Sequence, residues 1–208
     1  MISPRFWALL EEEGLRGKRI LDVGCGWGRL ALPLAEAAGW VVGLDRDLSL
    51  VAEARRRARA AGLHRAEFHE ADVEQEEYGR WHPDLIVAHL CVSDAIIQRA
   101  ARALRSGSCL AMVAFHVDQW QETGKVSRFA YDEERMADVL REGGLLPEAV
   151  ELEREVQRFE TVEAGLAAAV GLADLWKADG RWHRYLAFLE GGGRTLTRSH
   201  LLVKARKP

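Results

Sequence analysis

Residues 18–28 read Lys-Arg-Ile-Leu-Asp-Val-Gly-Cys-Gly-Trp-Gly and decide the fold of this 208-residue chain. The first six residues form a β-rich run that ends in an acid and leads directly into glycines. Residues 29–38 then place apolar side chains at helical spacing. A strand, a glycine loop and a helix in this order predict a backbone that approaches a ligand closely, beside the free N–H groups of a helix N-terminus.

The same alternation of strands and helices continues to about residue 116. Further strands are predicted at 40–45, 65–70, 84–89 and 109–115. Two helices are predicted between them, one capped by Asp47 and ended by Gly62, the other running from Ser93 to Leu104. The last third is predicted to hold a helix at 131–143, a strand near 149–159, helices at 161–176 and around 182–189, and a strand at 200–204. This order indicates a doubly wound α/β sheet.

Composition narrows the classes of function. The chain has 32 acidic and 29 basic residues, a net charge of -3, which does not favour a nucleic-acid binder. It contains no asparagine, so a site built on the Asn-Pro-Pro-Tyr motif cannot exist here. Three cysteines without Cys-x-x-Cys spacing, and the absence of a signal peptide or membrane span, predict a cytoplasmic protein without a metal site.

Three acids accompany the glycine loop. Asp22 lies two residues before Gly24, Asp45 ends the second predicted strand, and Asp72 follows the third. Arg29 occupies the position where a dinucleotide-binding loop requires its last glycine. An acid at Asp22 repels pyrophosphate and attracts a cation, so the set predicts a pocket for a cationic adenosine without phosphates. The alternative is a plain strand-to-helix turn with ordinary strand-end acids.

These motifs resemble those of the class I S-adenosylmethionine-dependent methyltransferases, in their small-molecule, methyltransferase-type-11-like branch. Residues 20–28, 43–45, 71–73 and 83–89 look like motifs I, post-I, II and IV of that family. The resemblance covers residues 17–116 strongly and the rest more loosely. It implies a Rossmann-like seven-stranded sheet in the order 3-2-1-4-5-7-6, with the last strand antiparallel and helices on both faces.

The resemblance also implies one domain over residues 1–208. Within it we expect an N-terminal helix at 1–14 that acts as a lid or simply packs, a cofactor-binding half at 17–116, and a substrate-side part at 117–208. The implied cofactor is S-adenosylmethionine, with S-adenosylhomocysteine as product. Its implied binding residues are Asp22, Gly24, Cys25, Gly26, Trp27, Gly28, Asp45, Arg46, Asp72, Val73, Ala88 and His89.

Individual roles follow from the same resemblance. Asp22 and the loop would hold the methionine portion of the cofactor, and Asp45 its ribose. Arg46 would lie on the adenine, whose edge Asp72 and the Val73 amide would contact. Ala88 and His89 would close the pocket beneath the sulfonium.

The expected reaction is in-line transfer of a methyl group to a small-molecule acceptor. Such a displacement needs a base only when the acceptor must first lose a proton, and the candidates are His116 and His89. The alternatives are a protein or RNA methyltransferase of the same fold, a non-catalytic protein that binds S-adenosylmethionine or S-adenosylhomocysteine, and a nicotinamide-dependent oxidoreductase. The sequence specifies neither the acceptor, nor the atom methylated, nor an oligomeric state.

Overall fold

The computed structural model describes residues 2–208, and these form eight strands and eight α-helices. Met1, the first residue of the predicted N-terminal helix, lies outside the described residues. The strands are β1 (Arg19–Val23), β2 (Trp40–Asp45), β3 (Ala66–Glu70), β4 (Leu85–His89), β5 (Cys109–His116), β6 (Ala130–Tyr131), β7 (Leu146–Arg158) and β8 (Thr195–Arg206). The helices are α1 (Pro4–Glu11), α2 (Ala31–Ala37), α3 (Leu48–Ala60), α4 (Asp94–Ala103), α5 (Glu133–Glu142), α6 (Val162–Ala169), α7 (Ala173–Asp179) and α8 (Arg181–Glu190).

The strands form one sheet in the order β3-β2-β1-β4-β5-β8-β7, and the two-residue β6 pairs with β5. Without β6 this order is the predicted 3-2-1-4-5-7-6, so the fold prediction is confirmed. Strands β1 to β5 pair in parallel. Lys207, just after β8, exchanges backbone hydrogen bonds with Gly107 and Ser108 before β5, whereas Ser199, nearer the start of β8, contacts His116 at the end of β5. The last strand is therefore antiparallel, as predicted.

Parallel pairing brings the predicted site residues to one edge of the sheet. Asp22 lies opposite Gly43 of β2 and Val87 of β4. Asp45 and His89 end their strands two residues further along. The carboxyl ends of these strands, where doubly wound folds bind ligands, thus share one edge.

The chain divides into two compact units. The first comprises residues up to Ala114 together with 133–151 and 202–208, and the second comprises 115–132 and 152–201. In the first, α1 buries Phe6, Leu9 and Leu10 in the core, which is the packing alternative for this helix. The second has its own aromatic core, whose buried members include Trp120, Trp176 and Tyr185. The single domain and the lid remain predictions.

The two strands of the last third, Leu146–Arg158 and Thr195–Arg206, differ in extent from those predicted near 149–159 and at 200–204. Two of its predicted helices also differ from the structure. The helix predicted from residue 131 begins at Glu133, because Tyr131 pairs with His116 as part of β6. The helix predicted over 161–176 does begin after the Thr161 cap, but a 3-10 turn at Val170–Leu172 divides it into α6 and α7. Gly171, a poor helix former, lies inside that turn.

Candidate cofactor-binding site

The glycine loop after β1 is held closely on one side and open on the other. Gly24 and Gly26 have φ angles of +72° and +53°, which favour glycine. A methyl group on Gly24 would overlap the side chain of Cys91, whereas one on Gly26 would have no atom within 4 Å. The loop therefore packs against the segment after β4 and leaves room for a ligand at Gly26.

Asp22 is a buried carboxylic acid with unused hydrogen-bonding capacity. Its side chain belongs to a residue only 1% exposed, and its Oδ2 has no hydrogen-bond partner among the described residues. Burial raises its pKa to about 7, and the nearby charge of Asp45 adds to the increase. The backbone N–H of Ala31 and the charge of Arg29 oppose the rise. A cation placed at Oδ2 would stabilise the ionised form.

Asp45 is fixed by the backbone on both oxygens. The Gly26 N–H donates to its Oδ2 at 2.8 Å, and the Asp47 N–H donates to its Oδ1 at 2.9 Å. A carboxylate oxygen has a second lone pair, so both oxygens can still accept from a ligand hydroxyl. The hydrogen bond from Gly26 thereby holds the glycine loop against Asp45.

The predicted adenine-side residues lie on the segment after β3. Asp72 is exposed, and it accepts hydrogen bonds from the Glu74 N–H and the Gln75 side chain, each at 3.0 Å. Val73 is buried, and its carbonyl accepts from the Tyr78 hydroxyl at 2.5 Å. Arg46 is exposed directly after Asp45. These hydrogen bonds order the segment, and the side chains of Asp72 and Arg46 stay exposed.

At the end of β4 the structure reveals a contact that sequence reasoning missed. Ala88 is buried, and the Nδ1 of His89 lies 2.8 Å from an Nη of Arg29. Arginine only donates hydrogen bonds, so Nδ1 is the acceptor and a neutral ring carries its proton on Nε2. The sequence marked Arg29 only as a departure from the dinucleotide motif; its spacing from His89 gave no signal of contact.

The loop side chains Cys25 and Trp27 differ in exposure. Cys25 is buried, and burial raises its pKa well above the usual range of a thiol. Burial likewise raises the pKa of Cys91 to about 11. Trp27 is exposed and has the Arg57 guanidinium 4.2 Å from its ring centroid. Neither thiol is suited to act as a thiolate nucleophile.

The other candidate base, His116, belongs to the second unit. It is 5% exposed, and its Nδ1 lies 2.9 Å from the Ser199 hydroxyl and 3.2 Å from the Asp118 N–H, which donates to it. Both contacts hold the His116 ring through its Nδ1 atom. A catalytic role for His116 or His89 remains a prediction.

Residues 2–208 have neither a candidate metal site nor a candidate membrane span. They contain no group of three or more histidine, cysteine or acidic side chains arranged to hold a metal ion. None of the helices they form has the length and apolar character needed to cross a membrane.

Comparison with known proteins identifies the family. A family model described as "Methyltransferase domain" matches residues 15–178. The chain belongs to this methyltransferase family. It is a class I, type-11-like member, and the cofactor of the family is S-adenosylmethionine, which confirms the predicted family and cofactor.

The chain is similar in sequence to curated proteins over a short segment, and similar in fold to solved structures over nearly its whole length. The 23S rRNA (uracil(1939)-C(5))-methyltransferase RlmD of Xylella fastidiosa is 48% identical over 61 residues, which are 29% of this chain and 14% of that protein. Magnesium protoporphyrin IX methyltransferase of Synechocystis, solved with bound S-adenosylhomocysteine, is 17% identical with a TM-score of 0.62, covering 98% of this chain and 80% of the other. The cyclase SpnF is 26% identical with a TM-score of 0.67, covering 98% of this chain and 81% of the cyclase.

The residues of the candidate site have the chemistry that the family's cofactor requires. S-adenosylmethionine has an ammonium group, and Asp22 offers a buried carboxyl oxygen that has no protein partner. The cofactor also has ribose hydroxyls, which match the two fixed oxygens of Asp45. The side of Gly26 on which a side chain would stand is open.

Proposed function

We propose that this methyltransferase-family chain transfers the methyl group of S-adenosylmethionine to a small-molecule acceptor. The observation that carries the proposal is the unpartnered, buried Asp22 oxygen beside an open glycine loop. A buried carboxyl oxygen without a partner is unfavourable for folding, and a cationic ligand would compensate for it. A cytoplasmic location belongs to the same proposal and is supported by three cysteines that are all free thiols.

The proposed roles of the site residues follow their positions at the carboxyl edge. Asp22 and the loop from Gly24 to Gly28, with Cys25 and Trp27, would hold the methionine portion. The fixed oxygens of Asp45 would accept the two ribose hydroxyls. Arg46, Asp72 and Val73 would bind the adenine, and Ala88 with His89 would line the floor of the pocket.

For this reaction the protein mainly has to position the methyl donor and the acceptor. The cofactor, when bound, supplies a methyl group on a positively charged sulfur whose departing product is neutral. Holding the acceptor in line and excluding water supply up to roughly 7–11 kcal/mol of the barrier reduction. His89, whose Nδ1 accepts from Arg29, would orient neighbouring groups through its Nε2 proton.

Charge at the site favours a small molecule over RNA. The segment at the end of β3 and just after it has five acids in eight residues: Glu70, Asp72, Glu74, Glu76 and Glu77. These acids would repel a phosphate backbone near the adenine-binding residues. RNA is the second candidate, because the aligned segment of RlmD is 48% identical. Methylation at a pyrimidine carbon, however, requires prior addition of a nucleophile such as a thiolate, and the raised pKa values of Cys25 and Cys91 disfavour that step.

The test is a transfer assay with S-adenosylmethionine labelled in its methyl group. The purified chain is incubated separately with a low-molecular-weight metabolite extract, total RNA and denatured cell protein. We expect label in the metabolite fraction and none with Asp45→Ala. Label in RNA alone, or in protein alone, would show that the acceptor is that macromolecule and not a small molecule. Binding of S-adenosylhomocysteine without label in any fraction would favour the non-catalytic alternative.

A further inference from the structure

A groove outside the candidate cofactor site lies between α3 and β3 in the first unit. Its volume is about 380 Å³, which is within the range of pockets that bind small molecules. The apolar part of its lining consists of Ala58, Leu63, Ala66 and Phe68. Strand β3 is the last strand of the sheet on this side and pairs with β2 alone among the described strands. The groove therefore lies at a free edge of the sheet.

This groove is separate from the carboxyl edge that holds the cofactor residues. Ala66 lies opposite Val41 at the start of β2, whereas Asp45 ends that strand and lies opposite Glu70. The helix α3 begins beside Asp45 and supplies its C-terminal half to the groove. None of the lining residues is among those assigned to the cofactor. A ligand in the groove would thus leave the cofactor's place free.

The four arginines of α3 differ in their partners. Arg56 and Arg57 both pair with Glu53, at 2.7 Å and 2.6 Å. Arg55 and Arg59 line the groove instead, and neither pairs with an acid in the described part of the chain. These two are one helical turn apart on the same face, a spacing at which like charges destabilise a helix. An anion in the groove would relieve that repulsion.

The guanidinium of Arg55 is already held in place. Its Nε and one Nη donate to the Phe68 carbonyl, at 2.9 Å and 2.6 Å. The other Nη atom keeps its N–H donors for a ligand. Because the carbonyl contact already orders this side chain, binding costs less side-chain entropy. The Arg59 side chain is exposed and has no hydrogen bond to any of residues 2–208, so its whole fork is available.

The other polar residues of the lining are two histidines and one acid. The acid, Glu67, has its Oε2 3.2 Å from the Nε2 of His69. His64 is exposed, and its side chain has no hydrogen bond to the described residues. The two arginines outnumber the single acid, so the groove carries a net positive charge.

We propose that this groove binds a small phosphomonoester that has an apolar body. A phosphomonoester has close to two negative charges near pH 7 and three strong acceptor oxygens, which matches the two arginine forks. A carboxylate would match only one of them. The apolar lining accommodates the body of the ligand. RNA is disfavoured because Glu70 and Asp72, just beyond the groove along the chain, would repel the continuation of its backbone.

The experiment compares three ligands by isothermal titration calorimetry on the full chain: phenyl phosphate, inorganic phosphate and benzoate. We expect phenyl phosphate to bind at least about fivefold more tightly than either of the others. Arg59→Gln leaves the Arg55–Phe68 contact intact and should weaken phenyl phosphate binding at least about tenfold. Arg56→Gln is the matched control, because it removes the same charge from the same helix outside the groove. Its affinity should equal that of the wild type within error.

Three results would overturn the proposal. They are the absence of saturable phenyl phosphate binding, an equal loss in Arg56→Gln and Arg59→Gln, which indicates a diffuse attraction, and competition between phenyl phosphate and S-adenosylhomocysteine. Unchanged phenyl phosphate affinity in the presence of saturating S-adenosylhomocysteine would support a separate site. Tighter binding of an RNA oligonucleotide with a 5′-hydroxyl end, lost in Arg59→Gln, would show that the groove follows a nucleic-acid backbone instead. None of these results depends on methyl transfer, so the proposed function is tested separately.

Discussion

Two carboxylic acids in the first unit are both buried but differ in their partners. The Glu13 side chain is 5% exposed and lies 2.8 Å from the Lys204 ammonium and 2.6 Å from the Arg206 guanidinium. Burial alone would raise its pKa, but these two cations lower it to about 2. Asp22 is buried without such partners, and its pKa rises to about 7.

The difference separates an acid that stabilises the fold from one that we propose binds a ligand. Breaking a buried ion pair is costly because it leaves an unpaired charge in a poorly solvated place. Glu13 avoids that cost through the protein's own residues. The Asp22 carboxyl group lacks such a partner, so its burial is unfavourable in the ligand-free protein, as is common for residues of binding sites.

The largest expected effect concerns the acids around the open loop. Asp45→Ala removes both oxygens proposed to accept the ribose hydroxyls, each hydrogen bond being worth roughly 1.5–3 kcal/mol. We expect calorimetry to detect no binding of S-adenosylhomocysteine. Asp138→Ala, at an exposed acid of α5, is the control and should bind normally. An Asp45→Ala affinity within about threefold of the wild type would contradict the assignment.

Glu13→Gln tests the other half of the comparison. It removes the charge that pairs with Lys204 and Arg206, so we expect the free energy of unfolding to fall by about 3 kcal/mol. Urea denaturation at pH 7 measures this value. Affinity for S-adenosylhomocysteine should stay at the wild-type level, because Glu13 has no part in the loop; a loss of affinity without a loss of stability would reverse the comparison.

The two acids should also respond to pH in opposite directions. The folded pKa of Asp22 is above its unfolded value, so its contribution to stability is present below about pH 4 and is lost as pH rises toward 7. The folded pKa of Glu13 is below its unfolded value, so its contribution is present above about pH 4.5 and is lost as pH falls toward 2.

A pH series of urea denaturation on matched variants checks these signs. Asp22→Asn should abolish the decline in stability between pH 4 and 7, which we expect to be on the order of 1–3 kcal/mol. Glu13→Gln should instead weaken the decline below pH 4.5. If Asp22→Asn leaves the upper interval unchanged, the buried carboxyl is not the group responsible.

The smallest expected effect comes from an acid with a lowered pKa that is only partly buried. Glu53 on the surface of α3 pairs with Arg56 and Arg57, whose hydrogen bonds lower its pKa to about 2. Exposed ion pairs are weak because water screens them. Glu53→Gln should leave the urea midpoint unchanged within error. A loss as large as that of Glu13→Gln would mean that burial is not what distinguishes the two sites.

The sequence predicts those parts of the site that lie next to each other in the chain or at equivalent strand ends. The loop after β1 follows from local spacing, and Asp45 follows because parallel strands bring their carboxyl ends together. The Arg29–His89 contact joins residues 60 positions apart, and the Glu13–Arg206 pair joins residues 193 apart. Side-chain packing decides such contacts, so no periodicity predicts them. The division of α6 from α7 by a 3-10 turn was missed because Gly171 sits in an otherwise apolar helical run.

We propose that Asp22 is kept without an ion-pair partner so that it binds a cationic ligand. The most direct test is a titration of S-adenosylhomocysteine into the wild type and Asp22→Asn at pH 6 and pH 8. With a pKa of about 7 in the free protein, Asp22 is mostly protonated at the lower pH and mostly ionised at the higher one. We predict that wild-type affinity rises by up to about tenfold from pH 6 to pH 8 and that Asp22→Asn binds weakly with no such rise. Equal affinity of the two proteins at both pH values would contradict the claim.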